Sequence, residues 1–195
     1  MLNKLSGGIC SLISHLDVLI FRLMIAGTMK YIFLDIDGVF NSSDYSRSIE
    51  YLTETAGMSD AQIMLIAHHT HLDPKAIKVF DDLVERSGAT VILSSTWRWK
   101  YSVDEMNEML KGRGAKFTIA AATPILFGKI SSRIPRGKEI AEFIKVLPEV
   151  PESFVIIDDH DDMLHLKTNL VQTDPKHGIT PDDVEKALKV LNGEK

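Results

Sequence analysis

One stretch constrains this chain more than any other: "KYIFLDIDGVFNSS" at residues 30–43, where an apolar run at 31–34 stops in two aspartates, Asp35 and Asp37, followed at once by Gly38. A short continuous apolar run that ends in a turn signal reads as a strand buried on both faces. Carboxylates at the end of such a strand repel one another and lose hydration, so a cation or hydrogen bonds must compensate them. The strand therefore belongs inside a sheet, with a site at its carboxyl end.

The remaining pattern supplies that sheet. Asp73 and Pro74 open a helix to about residue 86, with Ile77, Phe80, Leu83 and Val84 on one face. "GATVILSS" reads as a second strand, Ser102 with Glu105 as a capping box for a helix to residue 110, and "KFTIAA" as a third strand. A loop carrying Pro124, Gly128 and Pro135 leads to a helix at 137–146. "SFVIID" and "NLVQT" are a fourth and a short fifth strand, and Thr180 with Pro181 caps a last helix to residue 191. Alternating strands and helices predict an α/β fold, a three-layer Rossmann-like parallel sheet. Residues 30–195 form its domain, with 41–72 as an insert, a minimal or small cap, holding a helix at about 59–67.

In such sheets ligands bind beyond the carboxyl ends of the strands. Three of those ends are polar: Asp35 and Asp37, Ser94 and Ser95, Asp158 and Asp159. A magnesium ion suits one or two carboxylates with phosphate and water oxygens, and Asp35 with Asp158 is the best pair for it. Gly38 lets the chain turn so that Asp37 reaches back over the site. Ser94 can donate to a phosphoryl oxygen, and Arg136 or Lys138, near a helix start, can neutralise it. That set fits phosphoryl transfer, with one aspartate attacking and another protonating the leaving oxygen. Ser95 is read either as a phosphate ligand or as a turn cap. Arg98 follows closely enough to clamp a phosphate, whereas Trp97 reads as core filling. His68, His69 and His71 read as a polar loop rather than a zinc site, and Asp161 with Asp162 as a solvated loop or helix start rather than metal ligands.

Composition narrows the partners. The 195 residues carry a formal charge of −5, which excludes a generally basic nucleic-acid binder. Residues 94–145, however, hold ten Lys and Arg against five Asp and Glu, so a polyanion would meet that segment. A single cysteine, Cys10, excludes an internal disulfide and a cysteine-based zinc site, so a reducing, cytoplasmic setting is expected. In residues 1–29, His15, Asp17 and Arg22 argue against a spanning helix, so no stable membrane insertion is expected. Leu12, Leu16, Leu19, Ile20 and Leu23 suit one face of an amphipathic helix, packed on the domain or on a membrane surface. The alternative is that this extension is dispensable and Met29 is the natural start.

Taken in order, "DIDGV", "LSSTWR", "RGKEI" and "IIDDHDD" resemble the four motifs of the haloacid dehalogenase (HAD) superfamily of phosphohydrolases, over residues 30–191. "SSTWR", "RGKEI" and "LVQTDPKHGIT" further resemble the small HAD-like domain of Swiss Army Knife RNA repair proteins, and the same superfamily contains the 3'-phosphatase domain of polynucleotide kinase-phosphatase. The resemblance implies Asp35 as nucleophile forming an aspartyl-phosphate, Asp37 as general acid and then base, and Ser94 as the hydroxyl that orients the phosphoryl group. It gives the third motif's cation to Arg136 or Lys138. Asp158 and Asp159 complete a Mg2+ site with Asp35 and the Asp37 carbonyl. The short insert departs from large-cap members and implies a nearly open site. The expected substrates are phosphorylated RNA or DNA ends, as in nucleic-acid repair, or nucleotides. A small-metabolite phosphatase and a non-catalytic module that binds phosphorylated ends are the alternatives; intact Asp35 and Asp37 weigh against the second.

Overall fold

The computed structural model describes residues 30–59, 62, 71–126 and 134–194. The N-terminal extension with Cys10, nearly all of the helix expected at 59–67, His68, His69 and residues 127–133 lie outside the described residues.

Five strands form one parallel sheet: β1 (Lys30–Leu34), β2 (Thr90–Leu93), β3 (Ile119–Ala122), β4 (Ser153–Asp158) and β5 (Leu170–Gln172), in the order β3-β2-β1-β4-β5. The strand carrying the aspartates is therefore central. Its residues alternate between two apolar layers. Ile32 and Leu34 pack with helices α3 (Pro74–Ser87), α4 (Val103–Gly112) and α6 (Pro181–Leu191), through Phe80, Leu83, Met106, Ala187 and Leu191. Tyr31 and Phe33 point the other way, onto Ile140 and Phe143 of α5 (Arg136–Val146) and onto Met163 and Leu166. Burial on both faces is why these strands read as unbroken apolar runs, and the arrangement is the Rossmann-like α/β fold expected.

Local signals set the helix ends. The Asp73 carboxylate accepts from the Lys75 N–H at 2.8 Å, Pro74 stands in the first turn, and the chain leaves α3 through Gly88 at φ 62°. Ser102 with Glu105, and Thr180 with Asp183, form capping boxes on α4 and α6. α5 begins at Pro135 without a side-chain cap of its own. Asp162, distant in sequence, serves instead: its carboxylate accepts from the Arg136 N–H at 3.2 Å and its carbonyl from the Gly137 N–H at 3.2 Å. Gly137 is required there, because a Cβ would lie 2.1 Å from the Met163 carbonyl oxygen.

The insert differs from its sequence reading. Two short helices, α1 (Ser43–Ser46) and α2 (Ile49–Glu54), occupy a part of the insert for which the sequence reading names no helix. Their signal is serine capping rather than apolar periodicity: the Ser42 and Ser48 hydroxyls accept from the Tyr45 and Tyr51 N–H groups. Arg113, just past α4, ties them down through the Leu72 carbonyl at 2.8 Å, Glu54 at 2.7 Å and the Tyr45 hydroxyl.

Candidate active site

Strand register brings the polar strand ends to one level. Leu34 pairs with Leu93 of β2 and Ile157 of β4, and the ladder runs one residue past the strands. The Asp35 N–H donates to the Ile157 carbonyl at 2.9 Å and the Ser94 N–H to the Leu34 carbonyl at 2.8 Å. Asp35, Ser94 and Asp158 are thus delivered side by side by backbone pairing alone.

Arg136, at the start of α5, fills the space between them. Its Nη1 lies 2.9 Å from Asp35 Oδ1, its Nε 3.1 Å from Asp158 Oδ2, and Nη1 also donates to the Ser94 carbonyl at 2.7 Å. Burial of the cluster is close to complete. Loss of hydration pushes the Asp35 carboxyl above its ordinary range, against the opposing pull of Arg136 and a hydrogen bond from Ser95. Asp158 is raised to about 7, first by burial and then by the charge of Asp35. Burial alone would lower Arg136, but the Asp35 and Asp158 charges outweigh it and hold the guanidinium above its usual value.

Asp37 sits on the rim and is exposed. The turn that puts it there needs Gly38, whose φ is 68° and whose missing Cβ would lie 2.6 Å from the Asp159 carboxyl carbon. Two donors reach the Asp37 carboxylate: the Trp97 indole N–H, 3.0 and 3.1 Å from its two oxygens, and the Asn41 side-chain amide at 2.6 Å. The Trp97 ring does pack against the core, as expected, but its polar edge belongs to the site. Nothing in the sequence pairs two groups sixty positions apart.

Arg98 is where sequence and structure part. It lies in a 3₁₀ turn, Thr96–Trp99, whose N-cap is Ser95, with the Ser95 hydroxyl accepting from the Trp97 N–H at 3.3 Å. The Arg98 side chain is only 3% exposed. It pairs with Glu139 of α5 and donates to the carbonyls of Ser94 at 2.6 Å, Thr123 at 3.1 Å and Ser95. A guanidinium so engaged ties β2, β3 and α5 together, and these contacts describe a strut between elements rather than a group held ready for a phosphate. Desolvation of that pocket lowers its pKa from the free-arginine value. Lys138, by contrast, is exposed on α5. Trp99 is exposed as well, at 65%.

The remaining candidates divide in the same manner. Asp161 is exposed and pairs with Lys167 at 2.6 Å, in keeping with a solvated loop, whereas Asp162 is the half-buried cap of α5. His71 bonds to the Tyr51 hydroxyl at 2.7 Å, and burial lowers its pKa. Of the described residues, one group of three possible ligands falls together: Asp158, Asp159 and His160, with donor atoms within 4.8 Å of one another. Asp35 joins Asp158 through their shared guanidinium.

The donor set suits a hard divalent cation. The ion-pair contacts to Arg136 aside, Asp35 Oδ1 and Asp158 Oδ2 accept no hydrogen bond, and the fully buried Ser94 hydroxyl makes none. Buried carboxylate oxygens left in that condition match the demand of an oxygen-seeking ion, and an unmade hydroxyl bond beside them matches a phosphoryl oxygen. Among the described residues no helix is long and apolar enough to cross a membrane. No curated protein and no solved structure matches the chain. Residues 31–184 do match one protein family, across every strand and all the groups just described, and the chain belongs to it: the HAD domain in Swiss Army Knife RNA repair proteins.

Proposed function

We propose that this protein is a magnesium-dependent phosphohydrolase that works through an aspartyl-phosphate on Asp35. Membership of the HAD family suggests phosphohydrolase activity. The observation that carries the finer reading is the sealed cluster of Asp35, Asp158 and Arg136 beside the unbonded Ser94 hydroxyl. In the first step an Asp35 oxygen bonds to phosphorus as the bond to the leaving oxygen breaks, and the Asp37 carboxyl gives its proton to that oxygen. In the second, Asp37 takes a proton from water, the water oxygen bonds to phosphorus, and the Asp35 oxygen leaves. Ser94 and Arg136 hold the phosphoryl oxygens through both steps. Magnesium, held by Asp35, Asp158, Asp159 and the Asp37 carbonyl, would supply charge neutralisation.

The substrates that fit best are phosphorylated nucleic-acid ends or nucleotides. Two features support this: the basic balance of residues 94–145 and the exposed Trp99 ring, on which a terminal base can stack. Arg98, buried against Glu139, is left out of that proposal. The overall charge of −5 favours a second reading, a phosphatase of small metabolites, and catalytic efficiency on 3'-phosphorylated oligonucleotides against sugar phosphates, over a range of salt, separates the two.

The decisive test of the chemistry is Asp35→Asn, which removes the nucleophile with little change in volume. We expect folded protein without turnover on any phosphate ester. Near-normal phosphate release by that variant would remove the covalent route.

A further inference from the structure

Asp37 presents a mechanical difficulty. It must give and then take a proton at a defined place, yet it is exposed, so packing does not restrain its side chain. Proton transfer needs the carboxyl within hydrogen-bond reach of the reacting oxygen, and a freely turning side chain spends little time there. Two side chains address this, one from another element and one from the end of its own turn. The Trp97 indole N–H, from the 3₁₀ turn after β2, sits 3.0 and 3.1 Å from the two Asp37 oxygens. Asn41 closes a ring over the turn: its amide nitrogen donates to Asp37 Oδ1 at 2.6 Å, and its amide oxygen accepts from the Gly38 N–H at 2.8 Å.

The placement of Trp97 is itself constrained. Its ring packs on the core and stands 5.9 Å from the Tyr101 ring, and its backbone N–H is fixed by the Ser95 cap, so the indole N–H is presented on a rigid mount. Asn41, for its part, is placed by a short parallel bridge with Asp37. One donor comes from each side of the carboxylate's turn, and both are neutral groups that hydrogen-bond it.

From this we infer that Trp97 and Asn41 are positioning residues that aim the Asp37 carboxyl at the leaving oxygen, an inference that rests on the phosphohydrolase reading above. Their contribution follows the leaving group. An alkoxide needs the Asp37 proton to depart, whereas a dinitrophenolate leaves without it. A residue that aims the acid therefore matters for alkyl phosphates and far less for dinitrophenyl phosphate, while a residue that only supports the fold matters equally for both.

The experiment compares kcat/KM, which reports the steps up to transfer onto Asp35, for an alkyl phosphate and dinitrophenyl phosphate with Mg2+ present. Trp97→Phe keeps an aromatic ring against the core and deletes the N–H. Asn41→Ala, on a partly exposed turn, tests the same role without touching the core. Each is expected to lose about tenfold more on the alkyl ester than on the dinitrophenyl ester, with Asp37→Asn showing the same selectivity and a larger loss, in the range of roughly 100- to 10,000-fold. Equal losses on the two esters, or none in either variant, overturn the inference while leaving the phosphohydrolase reading intact. A wild-type protein that cleaves neither ester removes that reading, and the inference with it.

Discussion

Two buried arginines meet at the same carbonyl. Arg98, from the turn after β2, and Arg136, from the start of α5, both donate to the Ser94 oxygen, at 2.6 and 2.7 Å. Beyond that point they differ. Arg98 has a carboxylate of its own, Glu139, and spends its other donors on backbone carbonyls. Arg136 faces two carboxylates from two different strands, and the oxygens turned to it, Asp35 Oδ1 and Asp158 Oδ2, accept no hydrogen bond beyond those ion-pair contacts. A closed set of partners describes a strut between elements; carboxylates crowded round one cation, with bonds still to make, describe a site that a ligand completes. Burial and charge alone do not separate the two cases.

The largest effect expected from this contrast is on catalysis. Arg136→Gln should lower kcat/KM by about 100- to 1,000-fold, the cost of removing one electrostatic stabiliser from a preorganised site. Arg98→Gln should act on stability instead, because breaking a buried ion pair strands a charge at about 3–5 kcal/mol. Chemical denaturation and activity per folded molecule, measured on both variants, check the assignment. The double change Arg98→Met with Glu139→Leu sharpens it: a strut replaced by apolar side chains of similar size should recover most of the lost stability. If that double variant refolds fully but has lost its activity as Arg136→Gln does, Arg98 belongs to the site after all.

How far the sequence leads follows from the physics of each contact. The strand ends were legible because buried strands are apolar runs and a carboxylate at their end is conspicuous. The α3, α4 and α6 starts were legible because capping acts within three residues. The partners of Arg98 were not: Glu139 is forty-one positions away, and only the docking of α5 brings it near. For the same reason the polar edge of Trp97 and the capping of α5 by Asp162 are not legible, whereas Asn41, only four positions from Asp37, is hidden because a single amide in a turn carries no distinctive pattern. The α1 and α2 helices are too short for apolar periodicity to register.

A smaller effect should appear in the pH dependence of the metal-free protein. Asp35 and Asp158 have pKa values raised on folding, Asp158 to about 7, so the folded chain keeps protons that the unfolded chain loses near the ordinary carboxylate value. The share of stability that Asp158 contributes therefore falls as pH climbs from about 4 to 7, and Asp35, raised as well, adds to the decline. With chelator present, the melting temperature should decline over that window. Magnesium should offset the decline, by about 2.7 kcal/mol at a hundredfold excess over its Kd, and more at pH 8 than at pH 5. A melting temperature indifferent to both would mean that the two carboxylates are not the ion's ligands.

The smallest effect expected is at Lys138, and its smallness is informative. Residues two apart on a helix point to nearly opposite sides, so Arg136 and Lys138 cannot both enter one pocket. Arg136 is buried in the cluster and Lys138 is exposed, which assigns the third motif's cation to Arg136 as a proposal that activity can test. Lys138→Ala should change stability by no more than about 0.5 kcal/mol, the usual range for a surface position. On a small aryl phosphate it should change kcat/KM less than about twofold, because the exposed charge is screened. On a long phosphorylated oligonucleotide it should weaken KM slightly at low salt and not at high salt, since one phosphate contact is all a single lysine offers. A hundredfold loss on the aryl ester would reverse the assignment: α5 would then have to turn in the liganded protein, and the contrast between the two arginines would lose its catalytic half.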